Sequence, residues 1–557
     1  MAAAGHYLAA QAAFSILEGG GNAVDAGVAG GIALGVVHSE YVNFAGVAPI
    51  MLYLAEERRV TTISGLGTWP RAATRELFCE QHDGRIPPGV LRTVVPAAPD
   101  AWITALERFG TMGFGEVAAA AIGFARDGFP ASSFLSTMIA NYAQEYRRWP
   151  SNAAIYLPGD APPKTGDVFF QNDLAQTLQY MADEESAAAA KNDRAAGLAA
   201  ARAAFYRRDI ATAIIRYHAE NGGLLTAEDL ASFHVGIEEP VETQFADHHV
   251  FACGPWCQGP VLPQTLNLLD GIDLVGLGHN SPEYIHRIVE SLKLAFADRH
   301  AYYGDPRFVG VPMDTLLSRE YADRRRTMIR PDTAWPGMPP PGMPQDGVDA
   351  ADVEVASGWA YQAPDTAYIC VVDSHGNAFS ATPSDGSMDG PVIPGTGICP
   401  STRGAQSWTD PAVPACLAPG KRPRLTPSPA IAIRPGHSVM PFGTPGNDVQ
   451  PQAMVQTLLN MIAFGMTPQN AVEAPRFATY SYPASSEPHA YQPGRLSLES
   501  RIPPETGARL GAMGHKVEWW PEWEFRAGAL CAIVADTVTG VMEGAADPRR
   551  AGAAIGW

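Results

Sequence analysis

The sequence predicts a mixed fold of sheets and helices, in the α/β to α+β range. Three observations predict it. From Tyr368 to Val372 and from Ala378 to Thr382, two extended runs flank the turn Ser374-His375-Gly376-Asn377, which is the pattern of a hairpin. Ala23 to Val37 is a helix-length run made largely of Ala, Gly and Val, apolar nearly all round, so it must be buried. Between roughly Ala98 and Gly236 the spacing of apolar residues is mostly helical.

Tyr7 to Glu18 fits an amphipathic helix ended by Gly19-Gly20-Gly21, and Asn22 can cap the helix that starts at Ala23. Asp25 and the short length argue against a membrane span there. Pro49 to Leu54 and Val60 to Ser64 read as strands. Ala187 to Phe205 is alanine-rich and predicts one helix at the solvent edge. Ser281-Pro282 opens another helix, with Ile285, Ile288, Val289, Leu292 and Phe296 on one face. Trp335 to Gly347 is dense in Pro, Gly and Met and predicts an irregular connector. Ala430 to Arg434 and Val439 to Phe442 read as strands. The second runs through Gly443-Thr444-Pro445-Gly446-Asn447-Asp448 into a helix from Val449 to Phe464, stopped by Gly465.

The totals narrow the function classes. The chain has 557 residues, 46% hydrophobic and 17% charged, which excludes a disordered protein. A net charge of −19 repels phosphate backbones and gives no attraction to an anionic membrane surface, so neither nucleic acid nor membrane is expected as a partner. Seven cysteines are scattered, with no pair at zinc spacing, since Cys253 and Cys257 are CxxxC; no metal or other cofactor is expected. Unpaired thiols suit a reducing compartment. Met1 leads into Ala-Ala-Ala-Gly-His with no charged n-region or apolar stretch, so a cytoplasmic location is expected, with a lost leader left open.

Several segments together carry a resemblance. They are Gly20-Gly21-Asn22-Ala23-Val24-Asp25-Ala26, Ala295-Phe296-Ala297-Asp298-Arg299, Gly304-Asp305-Pro306, Thr366 at the head of a strand ending Val371-Val372-Asp373 before His375-Gly376-Asn377-Ala378, and Asp547-Pro548-Arg549. In this combination, spread over nearly the whole chain, the sequence resembles the gamma-glutamyltransferase family of N-terminal nucleophile hydrolases. The resemblance implies a four-layer αββα sandwich and a proenzyme that cuts itself at Asp365–Thr366. Residues 1–365 would form a large subunit and residues 366–557 a small one, intertwined as one structural domain, with pairing of two such heterodimers left open.

The chemistry explains why a threonine stands there. A threonine hydroxyl needs an adjacent base. Attack of Thr366 Oγ1 on the Asp365 carbonyl turns the peptide bond into an ester, and hydrolysis of that ester frees the Thr366 α-amine. An α-amine titrates near 7.7–8.0 in model peptides. It can take the hydroxyl proton, so one residue supplies both nucleophile and base.

Other roles follow from the resemblance. Ser384 falls where the family has a second threonine bonded to the nucleophile. Gly446 and Asn447 match the oxyanion hole, a turn whose N–H groups face the positive end of a helix; Asn447 departs from the usual second glycine. Asp365 is assigned to the cleavage, and Arg549 to structuring the precursor. The substrate pocket departs most. Leu66 replaces the arginine that holds a glutamyl α-carboxylate, Leu425-Thr426 replaces a serine pair, Gln406 an aspartate and Gly386 an asparagine. Burying an unpaired charge is costly, so free glutathione is not expected. Leu66, Trp69 and Leu425 predict a greasier pocket. Arg403, near Gln406 and Asp385, can clamp a carboxylate from another direction. The loop between Gln406 and Lys421 is shorter than the family's lid, which predicts an open cleft. The expected substrate is a small-molecule amide with a smaller or more apolar acyl group. Two alternatives stay open: the same machinery acting on an ester or carbon–carbon bond, and an uncut, non-catalytic binding protein.

Overall fold

The computed structural model describes residues 1–342 and 366–557. Asp365 and the end of the connector, residues 343–347, lie outside them.

Two antiparallel sheets form the centre. The first runs, in spatial order, Ala553–Ile555, Ala2–Ala4, Ile369–Val372, Ala378–Ala381, Ile50–Leu54, Arg59–Ile63 and Ile237–Glu238. The second runs Met542–Ala546, Cys531–Asp536, Ser438–Gly443, Ala430–Arg434, His248–Ala252 and Val241–Phe245. Side chains alternate across each strand, so each sheet has two faces to cover. Tyr368, Cys370 and Val372 of the first sheet pack with Ile431, Val439 and Ile533 of the second. Ile369, Val371, Phe379 and Ala381 turn the other way, into helices that include Tyr7–Glu18, Ala23–Val37 and Ala98–Phe109. Ala430, Ala432, Met440 and Phe442 turn into a second helical layer that includes Pro282–Tyr302 and Gln450–Ile462. The three apolar clusters are the three seams of an αββα sandwich.

The helix Ala23–Val37 shows how the layers come so close. Asn22 caps it, accepting from Val24 N and Asp25 N, while Asp25 returns a bond to Asn22 N. The whole helix is buried. Its N-terminus is tied to the hairpin turn, where the Asp373 carboxylate accepts from Ala23 N at 3.0 Å and from His375 N and Asn377 N. A Cβ added at Gly27 would lie 2.2 Å from Phe379 of the sheet. Small residues are therefore required on that face.

One strand is new and two expectations change. Ala2–Ala4 is a strand between Ala553–Ile555 and Ile369–Val372, an edge-to-edge fit that local propensity of three alanines does not announce. The alanine-rich stretch is two helices, Asn172–Ala189 and Arg194–Tyr206, because Asp193 caps the second by accepting from Ala196 N. That second helix also buries Leu198, Ala201, Ala204 and Phe205, so it is not a solvent-edge element.

No helix among the described residues is long and apolar enough to cross a membrane. All seven cysteines are free thiols, and burial pushes Cys370 up to about 12.

Replacing Gly27 with alanine is expected to destabilise the protein by about 1–3 kcal/mol, because overpacking against Phe379 outweighs the better helix propensity. Thermal unfolding of the variant checks this; an unchanged midpoint would contradict the close approach.

Candidate active site

Thr366 is fully buried and makes an antiparallel bridge to Ser384. Its neighbour Ala367 donates from N to Pro383 O at 3.1 Å, and Ser384 N donates to Val47 O at 3.0 Å. The pairing brings the two side chains together, and Thr366 Oγ1 and Ser384 Oγ share a hydrogen bond of 2.8 Å. Arg403 lies behind Ser384. Its Nη2 donates to Ser384 Oγ, and its Nε faces Asp385 Oδ1 at 3.1 Å. Arg403 is buried, not a solvated loop side chain.

Asp385 is held in a conformation rare for a non-glycine residue, with φ of 111°. Asn43 Nδ2 donates to its carbonyl at 2.6 Å, and Ser401 Oγ donates to its carboxylate at 2.7 Å. Burial pushes its carboxyl up from the ordinary range, with Arg403 pulling the other way. Asp385, Gly386, Asp389, Thr402, Arg403, Gln406 and Ser486 line one narrow cleft. Asp389 is turned toward Arg92, 3.5 Å away.

The other sequence candidates separate into two groups. Gln406 lines the cleft, and its carboxamide is engaged: Nε2 donates to Thr426 Oγ1 at 2.8 Å and Ser486 Oγ at 3.2 Å, while Oε1 accepts from Thr426 N at 3.1 Å. Thr426 thus touches the cleft through Gln406. Leu66 and Leu425 lie in the apolar seam between the sheets, with Trp256, Cys257 and Tyr368. Trp69 packs in a separate cluster with Phe78 and Val94, its Nε1 on Ser407 Oγ. The cleft beside Arg403 is therefore polar, and the greasy lining expected from Leu66, Trp69 and Leu425 belongs to the layers around it.

The turn after Ser438–Gly443 reaches the same region. Gly443 packs on the Tyr368 ring, where an added Cβ would be 2.4 Å from Cε2, and Tyr368 is two residues along the strand from Thr366. Three residues further on, Gly446 has φ of 128° and Asn447 φ of 49°. Asparagine is among the few side chains that tolerate the left-handed region, so Asn447 suits its backbone. The peptide planes are fixed. Gly446 O accepts from Val449 N at 2.8 Å, and Asn447 O accepts from Gln258 Nε2 at 2.7 Å. Asn447–Val449 is a 3₁₀ turn leading into Gln450–Ile462, so the turn sits at the positive end of that helix. Arg299 holds Asp448 and Gln258 from below, stacked on Phe296 and Tyr482.

Arg549 is buried and clamped by Glu499 and Asp547. The residue that reaches Thr366 is its neighbour Arg550, whose Nη1 donates to Thr366 O at 3.0 Å. Arg550 was not foreseen, although it adjoins the C-terminal motif; nor was Gln258, which carries no sequence signal of its own. Among the described residues, His286, Glu290 and His515 come closest to a metal-binding set, but Glu290 is already paired with Lys293 at 2.7 Å.

A buried threonine at the head of a strand, inside an αββα sandwich and bonded to a second hydroxyl, defines an N-terminal nucleophile hydrolase. A family model described as gamma-glutamyltranspeptidase matches residues 9–557. Acylase ACY 1 proenzyme of Pseudomonas sp. (strain SE83) is 33% identical over 98% of this chain and 91% of its own length. Oxamate amidohydrolase proenzyme of Klebsiella pneumoniae subsp. pneumoniae is 31% identical over 100% of this chain and 98% of its own. The crystal structure of cephalosporin acylase from Bacillus halodurans superposes with a TM-score of 0.85 at 28% identity, covering 99% of this chain and 94% of that one. The chain belongs to the gamma-glutamyltranspeptidase family, and it is an enzyme of the amidohydrolase and acyltransferase type.

Asn447→Gly is expected to keep the turn and at least half the wild-type rate, since glycine suits the same backbone. Asn447→Val is expected to lose on the order of 10²-fold or more if the turn supplies the oxyanion donors that the resemblance assigns to it, because a β-branched residue does not suit its left-handed backbone. Initial rates of amide hydrolysis for both variants test the assignment.

Proposed function

We propose that this protein is a self-processing threonine amidohydrolase that passes its acyl group through an ester on Thr366, and that gamma-glutamyl compounds are not its preferred substrates. The observation that carries the reading is the bond between Thr366 Oγ1 and Ser384 Oγ at the head of the buried strand. Cleavage divides the chain into residues 1–365 and 366–557. Its chemistry is an acyl shift. Thr366 Oγ1 attacks the Asp365 carbonyl, the C–N bond breaks as nitrogen takes the proton, and water then hydrolyses the ester to release the Asp365 carboxylate.

In the mature site the Thr366 α-amine accepts the Oγ1 proton as Oγ1 attacks the substrate carbonyl. The oxyanion forms toward the N–H groups of Gly446 and Asn447. The proton passes to the departing amine, leaving an acyl ester on Thr366. Water or an acceptor amine then attacks that ester, and Oγ1 regains its proton. Ser384 orients Oγ1, Arg403 orients Ser384, and Arg550 fixes the Thr366 carbonyl. The doubt about gamma-glutamyl compounds rests on Leu66, apolar and sealed in the seam between the sheets, and on Gln406, whose carboxamide is already spent on Thr426 and Ser486.

Freshly expressed wild-type protein is expected to run as two bands on a denaturing gel, and Thr366→Ala as one. Mass spectrometry should find Thr366 as a new N-terminus, and one intact band from active wild type would refute self-cleavage. Among acyl anilides, a simple acyl compound should turn over faster than the gamma-glutamyl one; the reverse order would remove the argument from Leu66. The base works only unprotonated, so kcat/KM should rise with pH and level off above about 8. A flat profile from pH 6 to 9 would exclude the α-amine as base.

A further inference from the structure

Phe134 and Phe525 take no part in the proton transfers, yet they stand beside Thr366. Arg550, whose Nη1 donates to Thr366 O at 3.0 Å, lies over the Phe134 ring, 4.8 Å from its centroid. That places the ring within about 9 Å of the Thr366 carbonyl oxygen. Phe134 comes from the helix Ser133–Asn141, and its ring meets Phe525 edge to face, with centroids 5.6 Å apart. Tyr41 backs the pair, 5.5 Å from Phe134. Tyr41 and Arg550 are buried, whereas Phe134 and Phe525 each keep part of their surface open.

Phe525 is also tied to the far end of the site. It opens the 3₁₀ turn Phe525–Ala527, and the chain beyond it runs along the Gly446 turn. Ala529 N donates to Thr444 Oγ1 at 2.9 Å, and a Cβ added at Gly446 would lie 3.7 Å from Gly528 Cα. The two rings therefore stand between the carbonyl of Thr366 and the turn that the resemblance assigns to the oxyanion.

Proton transfer decides which half of the substrate meets them. The Thr366 α-amine hands its proton to the departing nitrogen, so that nitrogen leaves over the Thr366 backbone. Arg550 holds Thr366 O, so it and the rings mark this backbone side. Ser384 and Arg403 lie beyond Oγ1, toward the polar cleft. A ring one methylene beyond the departing nitrogen extends about 5 Å from the acyl carbon, toward the ~4.5–7 Å separation at which aromatic pairs meet.

We propose that the substrates are N-acylated arylalkylamines, whose aromatic ring is read by Phe134 and Phe525. This rests on Thr366 being the nucleophile. In balance, the amide and the Thr366 hydroxyl give the acyl ester on Oγ1 plus the free arylalkylamine; water then returns the acid and the hydroxyl.

The test uses mature wild-type enzyme and the acyl group that it removes fastest from anilides. That group is placed on ammonia, butylamine, cyclohexylmethylamine and benzylamine, and release of the amine is measured. The benzylamide is expected to show kcat/KM about tenfold or more above the butyl and cyclohexylmethyl amides. Phe134→Leu and Phe525→Leu keep apolar bulk but remove the ring. Each is expected to lower kcat/KM for the benzylamide by about three- to tenfold, mostly through KM, and to lower it less for the primary amide. Comparing each substrate with itself across variants cancels the basicity of the departing amine. A butyl or cyclohexylmethyl amide turned over as fast as the benzylamide, with the anilide still cleaved in a Thr366-dependent manner, would overturn the aromatic reading and leave the threonine mechanism standing. Equal losses on every amide in both variants would do the same. No turnover of any amide or anilide would overturn both. Should either variant not fold, the wild-type series decides alone.

Discussion

The structure depends on keeping one hydroxyl dry and aligned. Thr366 is fully buried, and the direction of its Oγ1 comes from Ser384 across an antiparallel bridge. Polar groups buried in this way are stable only when bonded. The fold answers with a sequence of fixed neighbours. Ser384 is set by Val47 and Arg403, Arg403 by Asp385, and Asp385 by Asn43 and Ser401. The backbone strain at Asp385 is held by the same partners.

Much of this was legible in the residues. The hairpin and the helices Tyr7–Glu18 and Ala23–Val37 were readable because their caps and periodicities are local. Thr366, Ser384, Gly446 and Asn447 were singled out by motif resemblance, and the fold brings Thr366 and Ser384 into contact. What was not legible is set by tertiary context. Ala2–Ala4 is a strand only because two other strands flank it. Leu66 and Leu425 carry no mark that tells a pocket wall from the seam between two sheets. Gln258 acts through a carbonyl 189 residues away, and no spacing rule connects the two.

Charge in the site is arranged as closed pairs. Arg403 meets Asp385, Arg92 meets Asp389, and Arg299 meets Asp448, all of them buried. Such pairs contribute little net stability, since desolvation offsets attraction, but breaking one leaves an uncompensated charge. Their value here is geometric. Each ties down a loop or 3₁₀ turn, and the pairs at Asp385 and Asp389 hold walls of the cleft.

The order of strands has a further consequence. In the first sheet, Ile369–Val372 and Ala378–Ala381 lie between Ala2–Ala4 and Ile50–Leu54. In the second, Ala430–Arg434 pairs with His248–Ala252. Chain from both sides of position 366 alternates within one hydrogen-bond ladder. Severing the backbone there would remove no ladder bond, and the halves could neither be exchanged between molecules by dilution nor reconstituted by mixing folded parts. Heat would melt them in a single event.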